Sequence, residues 1–196
     1  MTELLPLWLK LAYTLYTGIT VIIYWFKYGP GNYLWFSDLA LILTVPALWL
    51  ESPQLASMML LAILLPELVW NISFFTGLLS GKPLGSLAAY MFEADKPLYL
   101  RGLSLFHVFL PVLLLYMVAR LGYDEDALLW QSLLAWIVLP LSYLLTDPAE
   151  NINWVHGPGD KPQHLIPALV YLGLLMLIFP MLIYLPTHLL LGWLFV

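Results

Sequence analysis

Apolar residues run almost unbroken along this chain, and short polar interruptions cut them into segments of membrane-crossing length. Roughly 20 apolar residues are needed to cross a hydrocarbon core. Segment 5–26 meets that length and ends in KYGPGN, where Gly and Pro break a helix. Segment 33–50 follows and stops at the ESP turn; segment 54–79 closes at SGKP. The patch 84–100 carries Glu93, Asp95 and Lys96, is too polar for a span, and is expected to lie at the interface as a short helix. Segments 101–121 and 127–145 are separated by GYDED, and DPAENINWVHGPGDKP leads into 163–196. That last stretch is too long for one untilted crossing. Pro180 and Pro186 are expected to kink it or to turn its end along the membrane surface. The pattern predicts a single all-α domain, 1–196: a polytopic integral membrane protein, a six-helix bundle with a short interfacial helix.

Composition supports the same class. With 62% hydrophobic and 10% charged residues, against about 25% charged in soluble domains, the chain cannot build a water-facing surface. It has no cysteine, which removes disulfides, thiolate ligands and a cysteine nucleophile together. Its seven Lys and Arg are scattered singly and form no nucleic-acid footprint. The start MTELLPLWLK lacks a basic region and a small-residue cleavage site, so the first span is expected to be retained. Lys27, Lys82, Lys96, Arg101 and Lys161 fall after the first, third and fifth spans, with Lys10 and Arg120 on the other side. Basic loops face the cytoplasm. This puts both termini outside, in a bacterial inner membrane or an equivalent bilayer.

Charged groups within spans need a reason, because one at mid-bilayer costs at least ~2.5–3.5 kcal/mol. Asp38, Glu67, Asn71 and His107 are the strong cases, and Thr146 and Asp147 sit where the fifth span ends. At 1.5 Å per residue, Asp38 and His107 lie about 8–9 Å in from the cytoplasmic starts of their spans, and Asn71 roughly 10–12 Å from the cytoplasmic end of its own. Glu67 is one turn deeper on the same face. Helices of alternating direction thus gather polar groups in one half of the bilayer, under the 147–162 loop.

Each residue also has a structural reading. Asn71 can be a helix-packing hydrogen bond. Asp38 can pair with His107 or a tyrosine, and Glu67 can be protonated and bonded to a carbonyl. His107 is the least ordinary, because imidazole exchanges protons near neutral pH. A histidine beside a carboxylate is the minimum for general acid–base work, and Ser104 is one turn from His107. There is no G-x-S-x-G signature. A metal site would draw on His107, His156, His164, Glu67, Asp38, Asp147 and Glu150, but their spacing matches no H-E-x-x-H pattern. His156 and His164 flank a Gly-Pro-Gly turn and are expected to be solvent-exposed loop residues. Neither metal nor cofactor is expected.

The run GPGNYLWFSDLAL resembles the second-helix region of the androgen-induced membrane hydrolase family, where an aromatic-rich segment precedes an Asp-Leu. LFHVFLPVLLLYM resembles that family's fourth-helix histidine, followed by a Leu-Pro and an aliphatic run. ENINWVHG resembles the Asn-Trp-Gly loop of the acyltransferase-like proteins of the same superfamily. These short pieces fall within 29–160. The resemblance implies a six-helix membrane fold that cuts or transfers acyl groups on lipids, with a Thr nucleophile and a His. His107 matches the histidine. The position three before Asp38 is Trp35 rather than Thr, and the cysteine of the acyltransferase-like relatives has no counterpart.

Together these readings predict a membrane-embedded hydrolase or acyltransferase acting on an acyl lipid or another hydrophobic ester. His107, Asp38 and Glu67 are the catalytic candidates. Asn71, Ser104, Thr146, Asp147, Asn151, Asn153 and Trp154 are the substrate-binding candidates, the last four as a lid or headgroup rim. The expected partners are membrane lipid and a hydrophobic small molecule. The rival is a non-enzymatic lipid-binding, transport or accessory subunit whose Asp/Glu/His network is structural.

Overall fold

A computed structural model describes residues 4–159 and 161–195; the extreme ends of the expected domain, 1–3 and 196, lie outside the described residues. No strand occurs among the described residues. Helix α1 (Leu7–Tyr28) ends at Gly29, whose φ of 77° no helix can continue. A single 3-10 turn, Pro30–Leu34, folds the chain back into α2 (Phe36–Trp49). The turn consumes residues that the apolar pattern assigns to the second span. α2 therefore has only 14 residues, about 21 Å, and begins at a buried Phe36.

Glu51 makes the α2–α3 turn at φ 48°. Its carboxylate accepts from the Leu4 and Leu5 N–H groups and from Lys10 Nζ at 3.0–3.1 and 2.9 Å, tying the start of α1 to this turn. Helix α3 (Pro53–Ser80) opens with Pro at its first position and a Ser52 hydroxyl accepting from Leu55 N–H. It is the central helix, packed on α2, α5 and α6.

The 84–100 patch holds a short helical element ahead of the next crossing. It contains one 3-10 turn, Ala89–Phe92, which tucks inward and buries Ala88 and Met91 against Trp70. The next crossing, Leu98–Leu121, is bent. α4 (Leu98–Leu103) gives way at Ser104 and Leu105 to α5 (Phe106–Leu121). The bend exposes carbonyls that side chains then satisfy: Ser104 Oγ donates to the Leu100 carbonyl and Tyr16 to that of Leu103.

α6 (Ala127–Leu145) returns across the bundle. The final stretch does not turn along a surface. α7 (Ala168–Ile178), a π-helical turn (Phe179–Tyr184) and α8 (Leu185–Phe195) form one continuous 28-residue helix. Proline lacks the N–H that would reach back four residues, and two of the orphaned carbonyls are capped from neighbouring helices. Pro111 frees the His107 carbonyl, which accepts from Asn71 Nδ2 at 2.8 Å. Pro180 frees the Met176 carbonyl, which accepts from Trp136 Nε1 at 2.8 Å.

The result is a six-helix, all-α bundle in which five helices are long and apolar enough to cross a membrane, α2 being the short sixth. Exposed Leu, Ile, Val, Trp and Phe side chains cover its outside, as expected of a multi-pass membrane protein. The described ends of the chain, the α2–α3 turn and the α5–α6 turn share one face of the bundle. The segments 29–35, 81–97 and 146–167 occupy the other, here called the loop face.

Candidate functional site

A cavity of about 440 Å³ lies toward the loop face. Helices α1, α2, α3 and α5 form its walls, and the three loop segments surround its mouth. Asp38, Glu67, His107, Ser104, Asn151, Asn153 and Trp154 all line it. Four helices of alternating direction do bring their polar residues to one end of the bundle.

His107 is the best-held group. Its Nδ1–H donates to both oxygens of Glu67, at 2.8 and 2.9 Å. Its ring is stacked between Trp70 (centroids 4.7 Å apart) and Phe106 (4.1 Å). The Glu67 bond sets the tautomer and leaves Nε2 as the unengaged ring nitrogen. Asp38 is buried in the first turn of α2, within electrostatic reach of His107, Glu67 and Asn32. The positive end of the helix dipole favours a carboxylate there. Ser104 Oγ is 3.0 Å from the Tyr24 hydroxyl. Tyr90, on the inward 3-10 turn, also lines the cavity. Burial pushes its phenol well above the usual range, opposed by a Ser104 hydrogen bond.

The roof belongs to the 147–162 loop. Asn151, Asn153 and Trp154 all adopt positive φ, the region Asn tolerates best. Asn153 reaches across to the start of α2. Its Oδ1 accepts from Phe36 N–H (3.1 Å), while Nδ2 donates to the Leu34 carbonyl (2.7 Å) and Ser142 Oγ (3.1 Å). Asn151 Nδ2 donates to the Gly157 and Gly159 carbonyls, and its Oδ1 accepts from His156 N–H. Both amides are thus engaged within the protein. They shape the rim, and Trp154, edge-on to Trp35 at 5.9 Å, is the part that presents a surface.

Three candidates stand outside the lining. Asn71 bonds the Glu67 and His107 carbonyls and clasps α3 to α5. Thr146 donates to the Ser142 carbonyl and packs beneath Gly31. Asp147 accepts from Ala149 N–H, making the turn that opens the loop. His156 also departs from expectation. It is half-buried, with its ring 4.8 Å from Tyr143, and burial lowers its pKa against the opposing charge of Asp147.

Apolar patterning had not singled out Asn32, Tyr24, Tyr90, Trp70 or Lys96, all of which line the cavity. Trp70 carried a legible signal, being one helical turn from Glu67 on its face. Lys96 did not, because its position depends on the inward fold of its segment. Among the described residues, no three His, Asp or Glu side chains converge as a metal site.

These features define a class: a multi-pass helical bundle with a histidine–carboxylate cavity inside its loop-face half. No protein family, curated protein or solved structure matches the chain.

Proposed function

We propose that this protein is a membrane-embedded enzyme that hydrolyses an acyl lipid or another hydrophobic ester. The observation that carries the reading is the Glu67 carboxylate on His107 Nδ1, inside a cavity bordered by apolar helices. In this reading Nε2 removes a proton from a water as the water oxygen attacks the ester carbonyl carbon. Glu67 stabilises the imidazolium that forms, and the same proton then passes to the departing alcohol oxygen. Ser104 is a poor nucleophile candidate, since its hydroxyl is engaged with Tyr24 and the Leu100 carbonyl. Asp38 lies within electrostatic reach of the imidazolium. The superfamily resemblance around Asp38 and His107 fits this chemistry, with water in place of the Thr whose position Trp35 occupies and of the Cys that the chain lacks.

Lys27, Lys82, Lys96, Arg101 and Lys161 lie on the loop face, so the cavity opens toward the cytoplasmic leaflet and both termini face outward. The test is an untargeted lipid comparison of membranes expressing the wild type, His107→Ala or no protein. Depletion of one ester-lipid class by the wild type alone is expected. Unchanged lipids in all three would end the proposal. One observation favours the rival reading as an accessory subunit: the Glu67–His107 bond also joins α3 to α5. In that case His107→Ala lowers thermal stability or disrupts assembly and leaves lipid composition untouched.

A further inference from the structure

The cavity has Asp38 and Glu67 in its depth, the exposed Glu150 on its loop rim and one lysine, Lys96, in its wall. Lys96 Nζ sits 4.6 Å from the centre of the Tyr90 ring and 5.6 Å from that of Tyr28, both within the range at which an aromatic face attracts a cation. No carboxylate among the described residues pairs with it. Lys96 is half-buried, on the loop segment that folds inward, and lines the cavity together with the exposed Ser86 of the same segment. An ammonium has three donors and no acceptor, and two ring faces leave those donors without a hydrogen-bond acceptor. Lys96 is the one Lys or Arg among the described residues lining the cavity, so an anion bound here sits against it while the uncharged part of the same molecule extends inward toward His107.

We propose that Lys96 is the recognition point for the anionic head, phosphate or carboxylate, of an amphiphile whose ester reaches His107. This rests on the hydrolase reading for the ester, while the head-group site stands on Lys96 and its two tyrosines alone. The two rings hold the ammonium at the cavity wall. The selectivity that results is for charged amphiphiles over neutral glycerides.

Binding, measured apart from turnover, tests this. The purified full chain in neutral detergent is titrated with phosphatidylglycerol, a free fatty acid or diacylglycerol of matched chains, and complexes are counted by native mass spectrometry. Wild type should prefer phosphatidylglycerol or the fatty acid over diacylglycerol by roughly tenfold, the scale of one charge-assisted hydrogen bond. Whichever of the two is preferred identifies phosphate or carboxylate as the head. Lys96→Gln should erase the preference and Lys96→Arg should keep it. Diacylglycerol binding as well as the charged lipids, or an undiminished preference in Lys96→Gln, would overturn the assignment. Should Lys96→Gln fail to fold, the salt dependence of the wild-type preference decides: a preference that does not weaken with salt rejects a charge contact. Head-group preference without turnover would leave Lys96 in place and remove the hydrolase reading; turnover without preference would do the reverse.

Discussion

At the scale of single residues, the site rests on two amide or carboxylate clamps with different jobs. Glu67→Gln keeps a hydrogen-bond acceptor for His107 Nδ1 but removes the charge that stabilises an imidazolium. Turnover should fall by about 10²-fold or more while lipid binding persists, the range in which general acid–base groups contribute. A kinetic assay in reconstituted vesicles, with native mass spectrometry for binding, measures both. Asn153 is a clamp of the other kind. Asn153→Ala strands the Phe36 N–H and the Leu34 carbonyl, while Ser142 Oγ keeps its bond to the Val138 carbonyl, and burying such unpaired groups costs about 1–3 kcal/mol each. A clear loss of thermal stability is expected, and a melting point equal to wild type would show that the roof is not held there. Glu51 offers a pH test. Hydrogen bonds from Leu5, Lys10 and Leu4 lower its pKa from 4.5 to about 2. Because the folded value is the lower one, its contribution is present above about pH 4.5 and disappears as pH falls through about 2. Melting curves should therefore lose stability across that interval more steeply in wild type than in Glu51→Gln.

At the scale of elements, prolines explain why several polar side chains sit where they do. Asn71 supplies to the His107 carbonyl the hydrogen bond that Pro111 withholds. In a double-mutant cycle, Asn71→Ala should cost on the order of 0.6–1.7 kcal/mol, as membrane side-chain hydrogen bonds do. In a Pro111→Ala background, where the backbone N–H returns, the cost should shrink toward zero. Additive losses would show that Asn71 acts elsewhere. The same logic separates what could be read from sequence from what could not. The helical pattern was legible because apolar runs of span length have one structural solution in lipid. Alternating span direction made the gathering of Asp38, Glu67 and His107 legible too. The inward fold of 84–100 was not, because a mixed stretch of apolar and charged residues has no period; its fate is decided by Trp70 and the other surfaces that receive Ala88 and Met91. Nor could spacing show that Asn153 is spent on α2, 117 residues away.

At the scale of the whole molecule, sidedness is the property most open to test. The chain has no cysteine, so single cysteines report cleanly. Ser86→Cys and Ala149→Cys, both exposed at the cavity mouth, should be labelled by a membrane-impermeant maleimide only when the cytoplasmic face is opened. Labelling from outside in intact cells would invert the topology. The bond from Asn153 to Phe36 has a further consequence, for biosynthesis. The early helices carry Asp38, Glu67 and His107, but the residue that closes the roof over them is translated after the fourth long crossing is already made. A nascent chain halted before Asn153 holds all three ionisable groups beneath an open roof. The finished pocket is thus a late product of translation, and truncated chains released during synthesis lack it.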